Sequence, residues 1–187
     1  MSKRHDTLTG PAETVWEGRW LRIRQRGTWE FVERTHADGM AVIIVAVTPD
    51  QKLVFVEQFR VPLQQRTIEM PAGLVGDNDG EDTLEKAAAR ELLEETGWQA
   101  AHVERLMEGP TSSGMSTERI AFCRATGLTR IHAGGGDESE DITVHEVPVA
   151  EAAQWLCARM AEGFAMDPKL WAGLWFVNRN PDGSPAS

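Results

Sequence analysis

Three glutamates crowd the stretch Arg90-Glu91-Leu92-Leu93-Glu94-Glu95-Thr96-Gly97-Trp98. Glu91, Glu94 and Glu95 stand at i, i+3 and i+4, a spacing that puts all three on one face of a helix. Like charges so placed destabilise a bare helix, so the stretch needs a compensating positive charge. A divalent cation with oxygen ligands meets that need, and Arg90 is placed to help hold the carboxylates. Mg²⁺, with Mn²⁺ as the alternative, suits all-oxygen donors better than zinc does. An acidic helix can also be an ordinary solvated face. Three features count against that here: a Gly/Asp-rich loop before the helix, Gly97 as a natural stop, and an apolar stripe of Ala88, Ala89 and Leu92 able to pack on a sheet.

A second acidic stretch, Ala133-Gly-Gly-Gly-Asp-Glu-Ser-Glu-Asp141, joins three glycines to four acids in five residues. With a metal site elsewhere in the chain, a carboxylate on a mobile loop is a candidate general base. Arg60 follows a strand, and in an acidic protein with an anionic substrate it is a candidate phosphate or base contact. Trp29 and Phe31 read either as packing or as a stacking platform for a nucleobase. His5, His36, His102, His132 and His145 show no ligand spacing, and none is assigned a role.

The 187 residues fit one domain with a small appendage, and the net charge is −10. That charge disfavours nucleic acid and anionic membranes as partners. Cys123 and Cys157 have no metal or redox spacing and read as thiols of a reducing compartment. No secretory signal is visible, and the longest apolar run, Met40–Val47, is far short of a membrane span. A cytoplasmic location is expected.

The elements that must position these groups follow from periodicity. Residues 1–14 are polar, and Trp16–Arg34 reads as a β-ribbon turning at Gly27, with too few apolar residues to stand alone. Met40–Val47 is apolar on both faces and reads as a central strand. Leu53–Gln58, Ala101–Glu108, Arg119–Ala125 and Ile142–Val149 read as further strands. Helices are expected at the glutamates, capped by Asp82 or Thr83, and over Val149–Gly163 and Pro168–Arg179. Trp155, Trp171 and Trp175 fall in the last two and read as core or interface. The irregular interleaving suggests an α/β fold, a mixed sheet flanked by helices.

Gly76, five residues, Asp82, seven residues, then Arg-Glu-Leu-Leu-Glu-Glu-Thr-Gly-Trp resembles the Nudix box. One position departs: the family has Glu where this chain has Asp82, with Glu81 one residue early. The resemblance implies metal ligation by Glu91, Glu94, Glu95 and the carbonyl of Ala72. The context Glu69–Leu74 before the box and Gly134–Val147 after it is similar to the ADP-ribose pyrophosphatase branch. That branch implies Glu138 as general base, with Glu140 as its understudy, and a substrate-side loop ending in Glu118. It also implies a Nudix α/β/α sandwich with a small N-terminal β-sheet subdomain. The boundaries expected are 1–38 for the ribbon and dimerisation region, 39–180 for the hydrolase domain and 181–187 for a flexible tail. The activity implied is Mg²⁺-dependent cleavage of the pyrophosphate of ADP-ribose by a homodimer. GDP-mannose or another nucleoside diphosphate sugar is the alternative substrate. A non-catalytic nucleotide-sensing module is the rival class, against which the intact box glutamates count.

Overall fold

The computed structural model describes residues 8–36, 39–76, 83–136 and 141–186. The first three strands, β1 (Glu13–Glu17), β2 (Leu21–Arg26) and β3 (Trp29–Arg34), form a separate antiparallel sheet. The expected ribbon is therefore extended by one strand at its start. Two of its arginines are held by Glu33, which accepts from Arg22 Nε and Arg24 Nη1, both at 2.7 Å. Val15, Trp16, Trp20 and Trp29 all remain exposed. The sheet joins the rest of the protein through Val32, whose N–H donates to Met115 O at 2.8 Å and whose carbonyl accepts from Thr117 N–H at 3.1 Å.

β4 (Met40–Ala46) is the middle of the fold. Strand geometry sends alternate residues to opposite faces, and here both faces are covered. Val42, Ile44 and Ala46 pack with Ala88 and Leu92, whereas Ile43 and Val45 pack with Leu156, Leu170 and Phe176. β5 (Lys52–Arg60) divides likewise, with Val54 in one core and Leu53 and Phe55 in the other. A short 3₁₀ turn, Val61–Leu63, leads into β6 (Gln65–Glu69), and β7 (Ala72–Leu74) follows. Helix α1 (Leu84–Thr96) starts at Thr83, whose Oγ1 accepts from Lys86 N–H. Such a cap contributes about 1 kcal/mol. Of the expected apolar stripe, Ala88 and Leu92 are fully buried, but Ala87 takes the buried place expected of Ala89.

β8 (Trp98–Gln99), β9 (His102–Pro110), β10 (Arg119–Thr126), β11 (Thr129–Arg130) and β12 (Thr143–Pro148) complete the central strands. A 3₁₀ turn over Val149–Glu151 precedes α2 (Ala152–Ala161). β13 (Ala165–Met166) and α3 (Lys169–Phe176) end the series, so both late helices are shorter than expected. One mixed sheet runs β7-β4-β10-β9 and the other β12-β5-β6-β13, with β4·β10 and β6·β13 parallel. With α1 against one face and α2 and α3 against the other, the fold is an α/β/α sandwich. Trp155 packs on the core, while Trp171 and Trp175 are exposed.

Arg124 is a charged residue in β10 that is only 8% exposed. Its guanidinium donates to Phe176 O and Arg179 O, to Asn180 Oδ1 and to Glu104. Carbonyls at a helix C-terminus are orphan acceptors, so a cation there satisfies them. The stretch expected as a tail, 181–187, is tied to the residues before it: Asn180 N–H donates to Ser184 O and Ala186 N–H to Asn178 O, which closes a turn. Among the described residues no helix is long and apolar enough to cross a membrane.

Candidate active site

α1 carries Glu91, Glu94 and Glu95 on its side facing β7 and the loop after β11. Among the described residues Arg90 supplies a counter-charge there. Its Nη1 donates to Glu91 Oε1 at 2.8 Å and to Glu94 Oε2 at 3.2 Å. Glu94 is about half exposed. Glu95 is 4% exposed, and its Oε2 accepts the N–H of Ala72 at 3.0 Å. The helix and the Pro71-Ala72-Gly73 segment are thus joined at a carboxylate. At Gly73 a Cβ would overlap the Glu91 carboxyl group, so only glycine permits this approach.

The glycine-rich loop is seated on the C-terminal end of α1. Gly135 N–H donates to Glu95 O at 2.8 Å, and Gly136 N–H to Glu94 O at 3.2 Å. Gly134 has φ +76°, and a Cβ there would lie 2.5 Å from the Thr96 carbonyl carbon. The backbone bonds hold the start of the acidic loop beside the two glutamates. Glu138 and Glu140 lie outside the described residues, as do Asp82 and Glu81 at the other loop. A cleft of about 400 Å³ opens next to Gly134 and Gly135, lined also by Arg130, Thr143 and Glu146.

The expected substrate contacts are dispersed. Trp29 and Phe31 line a separate cleft of about 400 Å³ with Arg26 and the 113–117 loop, and Arg26 lies over the Phe31 ring at 5.7 Å. Glu118 ends that loop, where it accepts from Arg34 Nε at 2.7 Å and Thr111 Oγ1 at 3.0 Å. Arg60 makes a two-pronged pair with Glu69, Nε to Oε1 at 2.7 Å and Nη2 to Oε2 at 2.6 Å. Burial pushes the Glu69 carboxyl up, but the bonds and charge of Arg60 outweigh it and hold the group below its ordinary value.

Two groupings escaped the sequence reading. One is Glu69 with Thr67, which donates its hydroxyl to Glu69. The other joins Glu57 to Arg66 at 2.5 Å and to His145 Nε2 at 2.9 Å, with Arg66 also bound to Asp141 at 2.8 Å. His145, left without a role, therefore sits in an ion-pair network at the far end of the acidic loop. Residues nine apart across a hairpin, or 88 apart across two strands, carry no spacing that would have exposed them.

The helix donors are crowded, negatively charged oxygens, which fits Mg²⁺ or Mn²⁺ chemistry. Among the described residues no three acidic, His or Cys side chains converge as a preformed ligand set; Arg90 engages Glu91 and Glu94 instead.

A solved structure described as an ADP compounds hydrolase shares this fold at TM-score 0.69 and 21% identity, over 89% of each chain. A family model described as NUDIX domain matches residues 38–166, and the chain belongs to the Nudix hydrolase family. The methanol dehydrogenase activator of Bacillus methanolicus is 39% identical over 163 residues, 83% of this chain and 86% of that protein. The ADP-ribose pyrophosphatase of Mycobacterium tuberculosis (strain ATCC 25618 / H37Rv) is 36% identical over 180 residues, 93% of this chain and 84% of that protein. The GDP-mannose pyrophosphatase of Enterobacter sp. (strain 638) is 37% identical over 124 residues, 62% and 63% of the two chains. Nudix hydrolases are generally dependent on divalent metals.

Proposed function

We propose that this protein hydrolyses ADP-ribose to AMP and ribose 5-phosphate. The observation that carries this reading is the seating of the glycine-rich loop on the carbonyls of Glu94 and Glu95. The acidic stretch that follows these glycines in sequence is the one that resembles the base-bearing loop of the ADP-ribose branch. A relative of that name, similar over 93% of the chain, supports it.

Glu91, Glu94, Glu95 and the Ala72 carbonyl would hold Mg²⁺, with Mn²⁺ as the alternative. When bound, the metal supplies charge neutralisation for the phosphate oxygens and acidity for water. Glu138, with Glu140 as alternative, takes the proton from the attacking water. The water oxygen forms a bond to one phosphorus as the anhydride P–O bond breaks, and the second phosphate leaves with the electron pair. Arg90 holds Glu91 and Glu94 in register until substrate arrives. Trp29 and Phe31 stack on the adenine, and Glu118 and Arg60 contact the substrate.

Residues 1–38 serve dimerisation, 39–180 form the catalytic unit and 181–187 the tail, in a cytoplasmic homodimer. The exposed apolar residues Val15, Trp16 and Trp20 support a second copy as the cover of the N-terminal sheet.

The test is hydrolysis of a panel of nucleoside diphosphate sugars with Mg²⁺, with products identified. ADP-ribose should be turned over fastest, giving AMP and ribose 5-phosphate. Faster turnover of GDP-mannose would replace the substrate, and binding without turnover would return the protein to the nucleotide-sensing class.

A further inference from the structure

Glu69 is a buried carboxylate with no place in the reaction described above. It is 7% exposed, and both its oxygens are committed to Arg60, with Thr67 Oγ1 donating to Oε1 as well. The Arg60 side chain is 43% exposed. Two of its three nitrogens enter the fork, and Nη1 has no hydrogen-bond partner among the described residues. One side of the guanidinium is therefore locked and the other open. Two residues after Glu69 the same segment reaches Pro71-Ala72, and Ala72 N–H binds Glu95. Arg60 itself lies within the field of Glu95 and Asp167.

An unrestrained arginine samples many rotamers, and immobilising it during binding costs free energy. A two-pronged carboxylate removes that cost in advance, and the guanidinium plane cannot rotate without breaking both bonds. We infer that Glu69 is a positioning residue, which fixes the Arg60 guanidinium so that Nη1 meets a phosphoryl oxygen of the substrate. The inference rests on the reading of Arg60 as a substrate contact. A carboxylate that merely cancelled the arginine charge would weaken anion binding, so removing it would tighten binding. Positioning has the opposite sign.

The experiment measures kcat and KM with Mg²⁺ for the wild type, Glu69→Gln, Arg60→Ala and the double variant. The substrate is whichever panel nucleotide sugar the wild type hydrolyses fastest, so a wrong nucleoside leaves this result readable. Glu69→Gln should raise KM about 10-fold, with kcat within about 3-fold, and the double variant should be no worse than Arg60→Ala alone. A lowered or unchanged KM in Glu69→Gln overturns the inference, as do effects that multiply in the double variant. Should Glu69→Gln not fold, Arg60→Lys keeps the charge without the fork and should give the same rise in KM; a wild-type KM there would overturn it equally.

Discussion

Gly73 and Glu91 meet where β7 passes α1, so closely that a methyl on the Gly73 α-carbon would occupy the space of the Glu91 carboxyl group. Gly73→Ala should therefore displace the first helix glutamate while leaving its chemistry intact. The clash is with the far end of a flexible side chain that can swing aside, so we expect a stability loss of only about 1 kcal/mol, the low end for overpacking. The rate should fall about 10-fold or more. A melting curve and steady-state kinetics on the same preparation check both, and a wild-type rate would show that Glu91 takes no part.

Glu94→Gln and Glu95→Gln should each lower kcat about 100-fold or more, through weakened Mg²⁺ binding. The two differ in structure. Glu95 accepts from Ala72 N–H, and a glutamine oxygen can still accept there, so that bond should survive in Glu95→Gln. Magnesium titrations of the rate, alongside melting curves, separate metal loss from misfolding. Near-wild-type rates at limiting Mg²⁺ would sink the ligand assignment.

The seating of the glycine-rich loop can be broken at Gly134, where φ is +76° and a side chain would meet the α1 backbone. Gly134→Ala should lose activity, because its two following amides no longer reach Glu95 and Glu94. Gly109→Ala is the control, since nothing lies within 4 Å of its added methyl. Equal activity of the two variants would detach the loop from catalysis.

Acid sensitivity follows from Glu57 and Glu69, whose carboxyls are both held below the ordinary 4.5. At Glu57 burial pushes upward, but hydrogen bonds from His145 and Arg66 prevail. A carboxyl depressed in the folded state binds its proton more readily when unfolded. Its stabilisation is therefore complete above 4.5 and is lost as pH falls through the depressed folded value. Urea denaturation across a pH series should show this loss beginning below about pH 5. In Arg66→Ala the acid slope should be shallower; parallel curves would contradict the role given to Glu57.

Cysteine reactivity separates the two thiols. Cys123 is fully buried in β10, and burial pushes its thiol up to about 12; Cys157 on α2 is exposed. Dithionitrobenzoate should titrate one thiol in the native protein and two in denaturant. Rapid reaction of both in the native state would mean that β10 opens readily.

The features legible in the sequence are those written in local spacing. Met40–Val47 declared a strand covered on both faces because every position is apolar, and the strand observed is Met40–Ala46. The glutamates and Gly97 declared the face and end of α1, as their spacing fixes both. The Arg60–Glu69 pair was not legible, although both residues were noted. Its register depends on the turn Val61–Leu63 and on Gln64 at φ +51°, a left-handed residue that no Gly or Asn announces. His145 shows the same limit, since an alternating strand pattern tells which side a residue faces but not what stands opposite. Arg124 lies in the expected strand Arg119–Ala125 with no spacing that marks it, and only the tertiary fold brings helix carbonyls to it.

Arg124 also sets an order of events during synthesis. Its partners Phe176, Arg179 and Asn180 follow it by 52 to 56 positions. Domains fold as units while the chain emerges from its N-terminal end, yet here a cation at the centre of the sheet has Glu104 but none of its carbonyl acceptors until α3 and the turn beyond it have been made. The Nudix helix, although long since translated, belongs to a domain that closes only when its last helix arrives.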